Sequence, residues 1–107
     1  MLNPVKATLD FNLSAVQHTG VRLEARVPGS GAVASTATLE MSQVTPEADG
    51  KESVPMQPLY DAGLPDGTYA LAVIPINDGA EGSALVSAET FERQQIPPTP
   101  AGPIVFS

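Results

Sequence analysis

The residue types that carry out nucleophilic or metal chemistry are scarce in this chain of 107 residues. It contains one histidine, His18, and no cysteine, whereas nucleophilic catalysis needs a serine or cysteine activated by a positioned base. His18 belongs to the stretch QHTG at residues 17–20, which we predict to be an exposed turn between strands. We therefore predict no enzyme active site, no cofactor, and no metal centre of histidine or cysteine type.

Oxygen ligands are more plentiful, because acidic and amide residues gather in the predicted loops. They are Asp61, Asp66, Asn77, Asp78 and Glu81. Calcium takes several such oxygens, but their spacing does not match the twelve-residue helix–loop–helix calcium motif. Asp and Asn before Gly are also ordinary turn formers. Turn formation is therefore our preferred interpretation, with calcium binding as the alternative.

The charge balance argues against a nucleic-acid partner. Twelve acidic and five basic residues give a formal net charge of −7, and affinity for a phosphate backbone depends on Lys and Arg displacing counterions. No apolar stretch approaches the ~18 residues needed to cross a bilayer. A basic segment followed by an apolar run of signal-peptide length is not visible at the N-terminus. We expect a soluble chain without a membrane partner; a chain trimmed of its signal peptide is the alternative.

Alternation of apolar and polar residues indicates strands with one buried face. The predicted strands are residues 7–13, 21–27, 37–44, 68–76 and about 83–92. Around Val54, Met56 and Leu59 the alternation weakens, and Pro55 and Pro58 would confine a strand there to an edge or a bulge. No segment shows a sustained period of 3.6 residues, so the pattern predicts an all-β chain.

Proline and glycine mark the turns and the end of the domain. The stretches PGSG at residues 28–31, DG at 49–50 and PDG at 65–67 are typical of turns. We predict one domain over residues 1–95 and an extended tail over residues 96–107, because IPPTPAGP is too proline-rich for a helix or a central strand. The tail ends in an apolar triplet that a disordered tail has no reason to carry: Ile104, Val105 and Phe106.

A motif in residues 64–92 is shared with a known family. In LPDGTY, at residues 64–69, the positions of Leu64, Pro65, Gly67 and Tyr69 match the residues that introduce strand F there. The segment resembles the closing F–G hairpin of fibronectin type III domains and related bacterial immunoglobulin-like repeats. This resemblance implies an immunoglobulin-like (fibronectin type III-like) antiparallel β-sandwich of six or seven strands. It also implies that Tyr69 buries its ring and finds a backbone partner for its hydroxyl.

Carried back along the chain, the resemblance departs from the family at the N-terminus. Residues 7–13, 21–27 and 37–44 would be strands B, C and C′, with Phe11 where the family often places a core tryptophan. Only six residues precede the first strand, too few for a full strand A. We expect strand A to be missing or very short, or its edge to be covered by something else, because an uncovered edge invites pairing with another chain.

Two apolar features are candidate interfaces. If Tyr69 faces the core, the outer row of the same strand contains Ala72, Ile74 and Ile76, where an antiparallel sheet usually carries polar residues. A neighbouring subunit, the tail or another partner could cover this row; alternatively, central strands are simply apolar, or a bulge at Pro75 shifts the register. The triplet Ile104, Val105 and Phe106 is the second candidate. It could add to an exposed edge of its own or a neighbouring chain, or belong to a linker toward a further domain.

Together these features predict a structural or adhesive module that contacts other proteins. A Met-initiated module without an export signal suits a virion accessory protein, such as a phage head-decoration or tail protein made in the host cytoplasm, by analogy of fold. Its partners would be further copies, in a homo-oligomer, or capsid or tail proteins. The alternative is a spacer or binding module of a secreted bacterial surface protein or carbohydrate-active enzyme, extracellular or at the cell surface.

Overall fold

The computed structural model describes residues 1–10, 18–95 and 101–107. Within these ranges the chain is almost entirely β, with one short helix and two single 3₁₀ turns. The strands are β1 (Lys6–Leu9), β2 (Gly20–Arg26), β3 (Val33–Glu40), β4 (Thr45–Pro46), β5 (Glu52–Pro55), β6 (Gly67–Asn77), β7 (Ala80–Glu81) and β8 (Leu85–Arg93). Helix α1 (Gln57–Asp61) connects β5 to β6. The all-β prediction is confirmed.

The strands form two antiparallel sheets. The smaller has the order β1-β5-β4, and the larger has the order β3-β2-β6, with β7 and β8 both pairing with the remaining edge of β6. Residues 1–3 add one parallel bridge, between Leu2 and Glu92 of β8. The described residues before β1 thus contribute a single bridge where a first strand would lie.

One apolar core joins the sheets. Leu9 and Val54 of the smaller sheet belong to the same buried cluster as Leu23 and Val73 of the larger sheet. In β2 and β6 the buried core residues alternate as the sequence predicts, because successive side chains of a strand point to opposite faces. The arrangement is consistent with a β-sandwich.

The sequence predicted the positions of the turns correctly, but it predicted the ends of the strands less well. The DG turn has left-handed φ values at Asp49 (61°) and Gly50 (74°). Asp and Gly adopt this conformation more readily than most residues, so the predicted turn is confirmed. The strand predicted over residues 37–44 instead spans Val33–Glu40. It ends there because Met41–Gln43 forms a 3₁₀ turn, in which the Gln43 side chain accepts a 3.0 Å hydrogen bond from the Glu40 amide. Phe11 lies outside the described residues.

The region around Val54 differs most from the prediction. Pro55 ends β5, which is the central strand of the smaller sheet rather than an edge. Proline has no amide hydrogen to donate. Pro55 is tolerated because, at its position opposite Lys6, the hydrogen bond between the strands is made by the next residue: the Met56 amide donates to the Val5 carbonyl at 3.0 Å. The apolar residue Leu59, which the alternation suggested for a strand, lies in α1. A five-residue helix is too short to show a 3.6-residue period.

Tyr60 of α1 fastens the N-terminal residues to the end of β8. Its hydroxyl donates a 2.6 Å hydrogen bond to the Pro4 carbonyl, and the guanidinium of Arg93 lies 4.4 Å from the centre of its ring. Burial raises the pKa of the Tyr60 phenol, and the nearby Arg93 charge opposes that shift. These contacts connect the segment before β1 to the end of β8 through Tyr60.

A polar cluster on the smaller sheet predicts a pH dependence of stability. The Glu47 carboxylate accepts hydrogen bonds from Lys6 Nζ at 2.9 Å and from Ser53 Oγ at 2.8 Å. These bonds, with the Lys6 charge, hold the pKa of Glu47 below its ordinary value of 4.5. A lowered folded-state pKa stabilises the protein above the ordinary value, and the contribution is lost as the pH falls through the folded-state pKa.

We therefore expect Glu47→Gln to lower the melting temperature at neutral pH and to have a progressively smaller effect as the pH falls below 4.5. The measurement is the melting temperature of both proteins across the acid range, with Glu92→Gln at an exposed position of β8 as the matched control. If the wild-type and Glu47→Gln profiles run parallel through the acid range, the Lys6 and Ser53 contacts do not shift this carboxyl.

Candidate protein-interaction site

The outer face of the larger sheet holds the first predicted interface. Ala72, Ile74 and Ile76 are absent from the core cluster, and the register places them on the face opposite Tyr69 and Val73, as predicted. Ala72 and Ile74 are nevertheless only 0% and 4% exposed, and Ile76 is half-buried. The row is therefore not an open apolar surface.

An arginine–glutamate network on the neighbouring strands β2 and β7 lies beside this row. In the register of β2 and β6, Arg22 lies opposite Ile74, and Glu24 lies opposite Ala72. Glu24 accepts a 2.7 Å bond from Arg26 Nη2, while Arg22 forms an ion pair with Glu81 that includes a 2.9 Å bond from Nη2. The aliphatic stems of arginine side chains can lie on apolar surface while their charged ends remain in polar surroundings. These side chains are in a position to cover Ala72 and Ile74, which the sequence alone did not show.

The expectation of a partner over Ala72 and Ile74 thus loses its premise, although an interface role of these residues stays a hypothesis. A bulge at Pro75 is not the explanation either. The register between β2 and β6 runs unbroken past Val21 and Pro75, and the irregularity of β6 lies on its other side, toward β8, between Ala70 and Ala72.

Two strand edges lie side by side where the sheets meet. Within the described residues, β1 pairs with β5 alone, and the outer edge of β8 bonds only to residues 1–3, near Glu92. An open groove separates β1 from β8, and we call it the seam. Its lining includes the apolar residues Ala7, Leu9, Leu71, Val73, Leu85 and Phe91. Unpaired edges next to accessible apolar side chains are the usual setting for strand addition.

The seam contains two adjoining cavities of about 220 and 250 Å³. Ala7, Thr8, Leu71 and Ser87 line both, so the two cavities are direct neighbours. Leu85 remains 48% exposed at the seam although it lies opposite the core residue Val73. Leu85 therefore leaves an exposed apolar side chain at the border of the core.

A bulge in β8 lies near the middle of the seam. Ser87 Oγ accepts a 2.9 Å bond from the Leu71 amide and donates a 2.7 Å bond to the Glu89 carbonyl. The serine side chain thus satisfies an amide that the strand ladder leaves unpaired between Ala70 and Ala72. Sequence reasoning missed these lining residues; the one signal was the shortage of residues for a first strand.

The second predicted interface, the apolar triplet, is exposed to solvent. Ile104, Val105 and Phe106 are 85%, 81% and 91% exposed. Side chains of these types are usually buried in a folded protein, so three consecutive ones without cover require an explanation.

Three of the five residues considered as calcium ligands have structural partners. Asp61 Oδ1 accepts a 2.8 Å bond from Gln57, Asp66 Oδ1 accepts a 2.9 Å bond from the Gln95 amide, and Glu81 is paired with Arg22. Within residues 1–10, 18–95 and 101–107, no three acidic or histidine side chains approach one another closely enough to hold a metal ion. His18 is half-buried beside β2 rather than exposed.

Among the helices of the described ranges, none has the length and apolar character needed to span a membrane. Comparison of the chain with protein-family models, curated proteins and solved structures gives no match.

Proposed function

We propose that this chain is an immunoglobulin-like, fibronectin type III-like module with a structural or adhesive role, which acts through protein–protein contacts and not through catalysis. The observation that carries the proposal is the seam. It is an accessible apolar groove bordered by two strand edges, and such surfaces recruit extended segments of other chains.

The strand order supports the finer fold assignment. With β2, β3, β6 and β8 taken as strands C, C′, F and G, the larger sheet has the order C′-C-F-G. The chain then crosses between sheets from β5 through α1 to β6, and Tyr69 lies near the start of β6. Its hydroxyl donates a 2.8 Å bond to the carbonyl of Pro65, four residues upstream. Immunoglobulin-like sandwiches have such a tyrosine at this corner.

The LPDGTY motif has a physical explanation in this corner. A Cβ at Gly67 would lie 3.0 Å from the Tyr69 hydroxyl oxygen, so a larger residue would press on the atom that bonds to Pro65. Leu64, at the start of the motif, is fully buried in the core. Each motif residue thus serves the fold, which supports a scaffold role for this hairpin.

We place the module in a virion, as a head-decoration or tail protein that contacts its own copies and capsid or tail proteins. The support is analogy, because viral structural proteins commonly carry immunoglobulin-like folds. Neighbouring capsid or tail genes would support this placement. A longer reading frame upstream with a signal peptide would instead support the secreted spacer.

Charge placed in the seam is expected to disrupt assembly. We expect the wild-type protein to have a mass above that of the 11.0-kDa monomer, and Leu85→Glu to shift it to the monomer because the new carboxylate would be desolvated by a docked segment. The measurement is size-exclusion chromatography with light scattering over a range of protein concentrations.

The matched control is Val33→Glu. Val33 is 50% exposed, close to the 48% of Leu85, but lies on β3 at the opposite edge of the larger sheet. Equal melting temperatures of the variants would show that each still folds. A wild-type protein that stays monomeric throughout, or equal masses for Leu85→Glu and Val33→Glu, would contradict assembly through the seam.

A further inference from the structure

We propose that the seam of one copy binds the apolar triplet Ile104, Val105 and Phe106 of a second copy, which adds to β1 as an extra strand. This rests on the proposed function, since it names the occupant of the same seam. The occupant is then part of this protein, and repetition of the contact joins copies head to tail.

The first line of support is the edge of β1 that has no strand partner within residues 1–10, 18–95 and 101–107. The Met56 amide bonds to the Val5 carbonyl across the β1–β5 ladder, and antiparallel pairs alternate between bonded and non-bonded positions. The peptide groups of Ala7 and Leu9 therefore point toward β5, whereas those of Lys6 and Thr8 point to the free side. An added strand would find two N–H and two C=O groups there.

The second line of support is the match between the triplet and the two cavities. In an extended strand, side chains two residues apart lie on one face at a spacing of roughly 6.6–6.8 Å. Ile104 and Phe106 would then point into the two adjoining cavities, while Val105 points away. Insertion would bury two of three side chains that are more than 80% exposed in the single chain.

The charge distribution favours this segment over others. All twelve acidic and five basic residues lie within residues 1–95, so the whole net charge of −7 belongs to the domain and none to the tail. Two such domains repel each other when brought face to face. A tail without charged side chains can enter the seam past Lys6, Asp10 and Glu89 with less repulsion than a second domain.

The geometry of the tail favours a second copy over the same chain. Ten residues, 94–103, separate the end of β8 from Ile104, and four of them are proline. A proline-rich segment in polyproline II conformation advances about 3.1 Å per residue and is stiff over several residues. An extended segment of this composition would carry the triplet away from Arg93, whereas the seam runs back from Phe91 toward Leu85. A tail that docked on its own domain would need to reverse its direction.

A contact of this kind joins two different surfaces. Each copy presents its seam to one neighbour and its tail to another, which is a heterologous interface. Such interfaces produce rings when the rotation closes and filaments when it does not. In this proposal the seam and the tail serve one role, which is to join neighbouring copies of the chain.

The decisive test uses the absence of cysteine from the natural chain. Thr8→Cys marks the free edge of β1, and Val105→Cys marks the outward position of the triplet. The two full-length variants, carrying different affinity tags, are mixed, treated with a short bismaleimide and resolved by denaturing electrophoresis. We expect a crosslinked heterodimer, and we expect it to be lost when Phe106→Asp is added to the Val105→Cys chain.

The matched control replaces Thr8→Cys with Ala34→Cys, at an exposed position of β3 on the far edge of the larger sheet. A heterodimer no more abundant than in this control would overturn the proposal. So would a crosslink within single chains of a Thr8→Cys, Val105→Cys double variant, because the tail would then dock on its own domain.

Light scattering separates the failure of this inference from that of the proposed function. If Leu85→Glu dissociates the wild-type assembly while Phe106→Asp leaves its mass unchanged, another segment occupies the seam and only the identity of the occupant is wrong. If neither substitution changes the mass, both proposals fail.

Discussion

Tyr69→Ala is expected to lower the free energy of unfolding by about 3–5 kcal/mol, the range measured for removal of large buried aromatic side chains. Tyr69 is only 6% exposed, and its ring centre lies 6.0 Å from that of Phe91. A domain of this size has a total stability of roughly 5–15 kcal/mol. The substitution therefore removes a large part of the margin that keeps the chain folded.

Tyr69→Phe separates the ring from the hydroxyl. It keeps the packing on Phe91 and removes only the 2.8 Å bond to the Pro65 carbonyl, which we expect to cost about 1 kcal/mol. Urea denaturation with linear extrapolation measures both, and an unchanged m-value indicates that the denatured state is unaffected. Thr68→Ala, at the exposed neighbouring position, is the control. Equal losses for Tyr69→Phe and Tyr69→Ala would mean that the ring packing contributes little.

Glu24→Ala is expected to cost about 1–3 kcal/mol of stability. Removal of one partner from a buried ion pair costs about 3–5 kcal/mol, but the side chains of Arg22 and Arg26 are 29% and 26% exposed, so water compensates part of the loss. Glu24 itself is 8% exposed. Its loss leaves Arg26 without its carboxylate and uncovers Ala72.

Glu24→Gln separates the stability that comes from the charge of Glu24 from the stability that comes from its side chain covering Ala72. Glutamine keeps nearly the same size over Ala72, so it should be less destabilising than Glu24→Ala, and its deficit should shrink in about 1 M salt, where the Debye length is about 3 Å. Chemical denaturation at low and high salt provides the measurement, with Glu89→Gln at an exposed position as control. If Glu24→Gln and Glu89→Gln have equal stability at low salt, the network contributes only by covering the sheet.

Features that depend on neighbouring residues were predicted from the sequence. The alternation in β2 and β6 identified which side chains face the core, and the types of Asp49 and Gly50 identified a turn with left-handed φ values. The hydroxyl partner of Tyr69 lies four residues away, so a local motif was sufficient to anticipate it. In each case the signal that predicted the feature lies within a few residues along the chain.

Short elements were harder to predict, because periodicity needs several turns or residues to become visible. Helix α1 has only five residues, so Leu59 fitted a strand pattern as well as a helical one. The two-residue strands β4 and β7 are defined by their pairing partners. Their own residue types contain no strand signal.

The candidate site could not be predicted from the sequence and was recognised only in the tertiary structure. The alternation correctly placed Ala72 and Ile74 on the outer face of β6. Only the register between β2 and β6 brought Arg22 and Glu24 opposite them, and pairing between distant strands is not encoded in either strand alone. The same holds for the seam, whose lining comes from β1, β6 and β8 and exists only because the two sheets stack.

The amino-acid sequence by itself determined the strand class, the main turns, the Tyr69 corner and the presence of an apolar triplet without an obvious partner. Each of these follows from side-chain period, backbone preference or composition. The tertiary structure decided which apolar residues are covered and which groove stays open. Burial is a property of contacts between segments far apart in the chain, here β1 and β8, and no local pattern contains it.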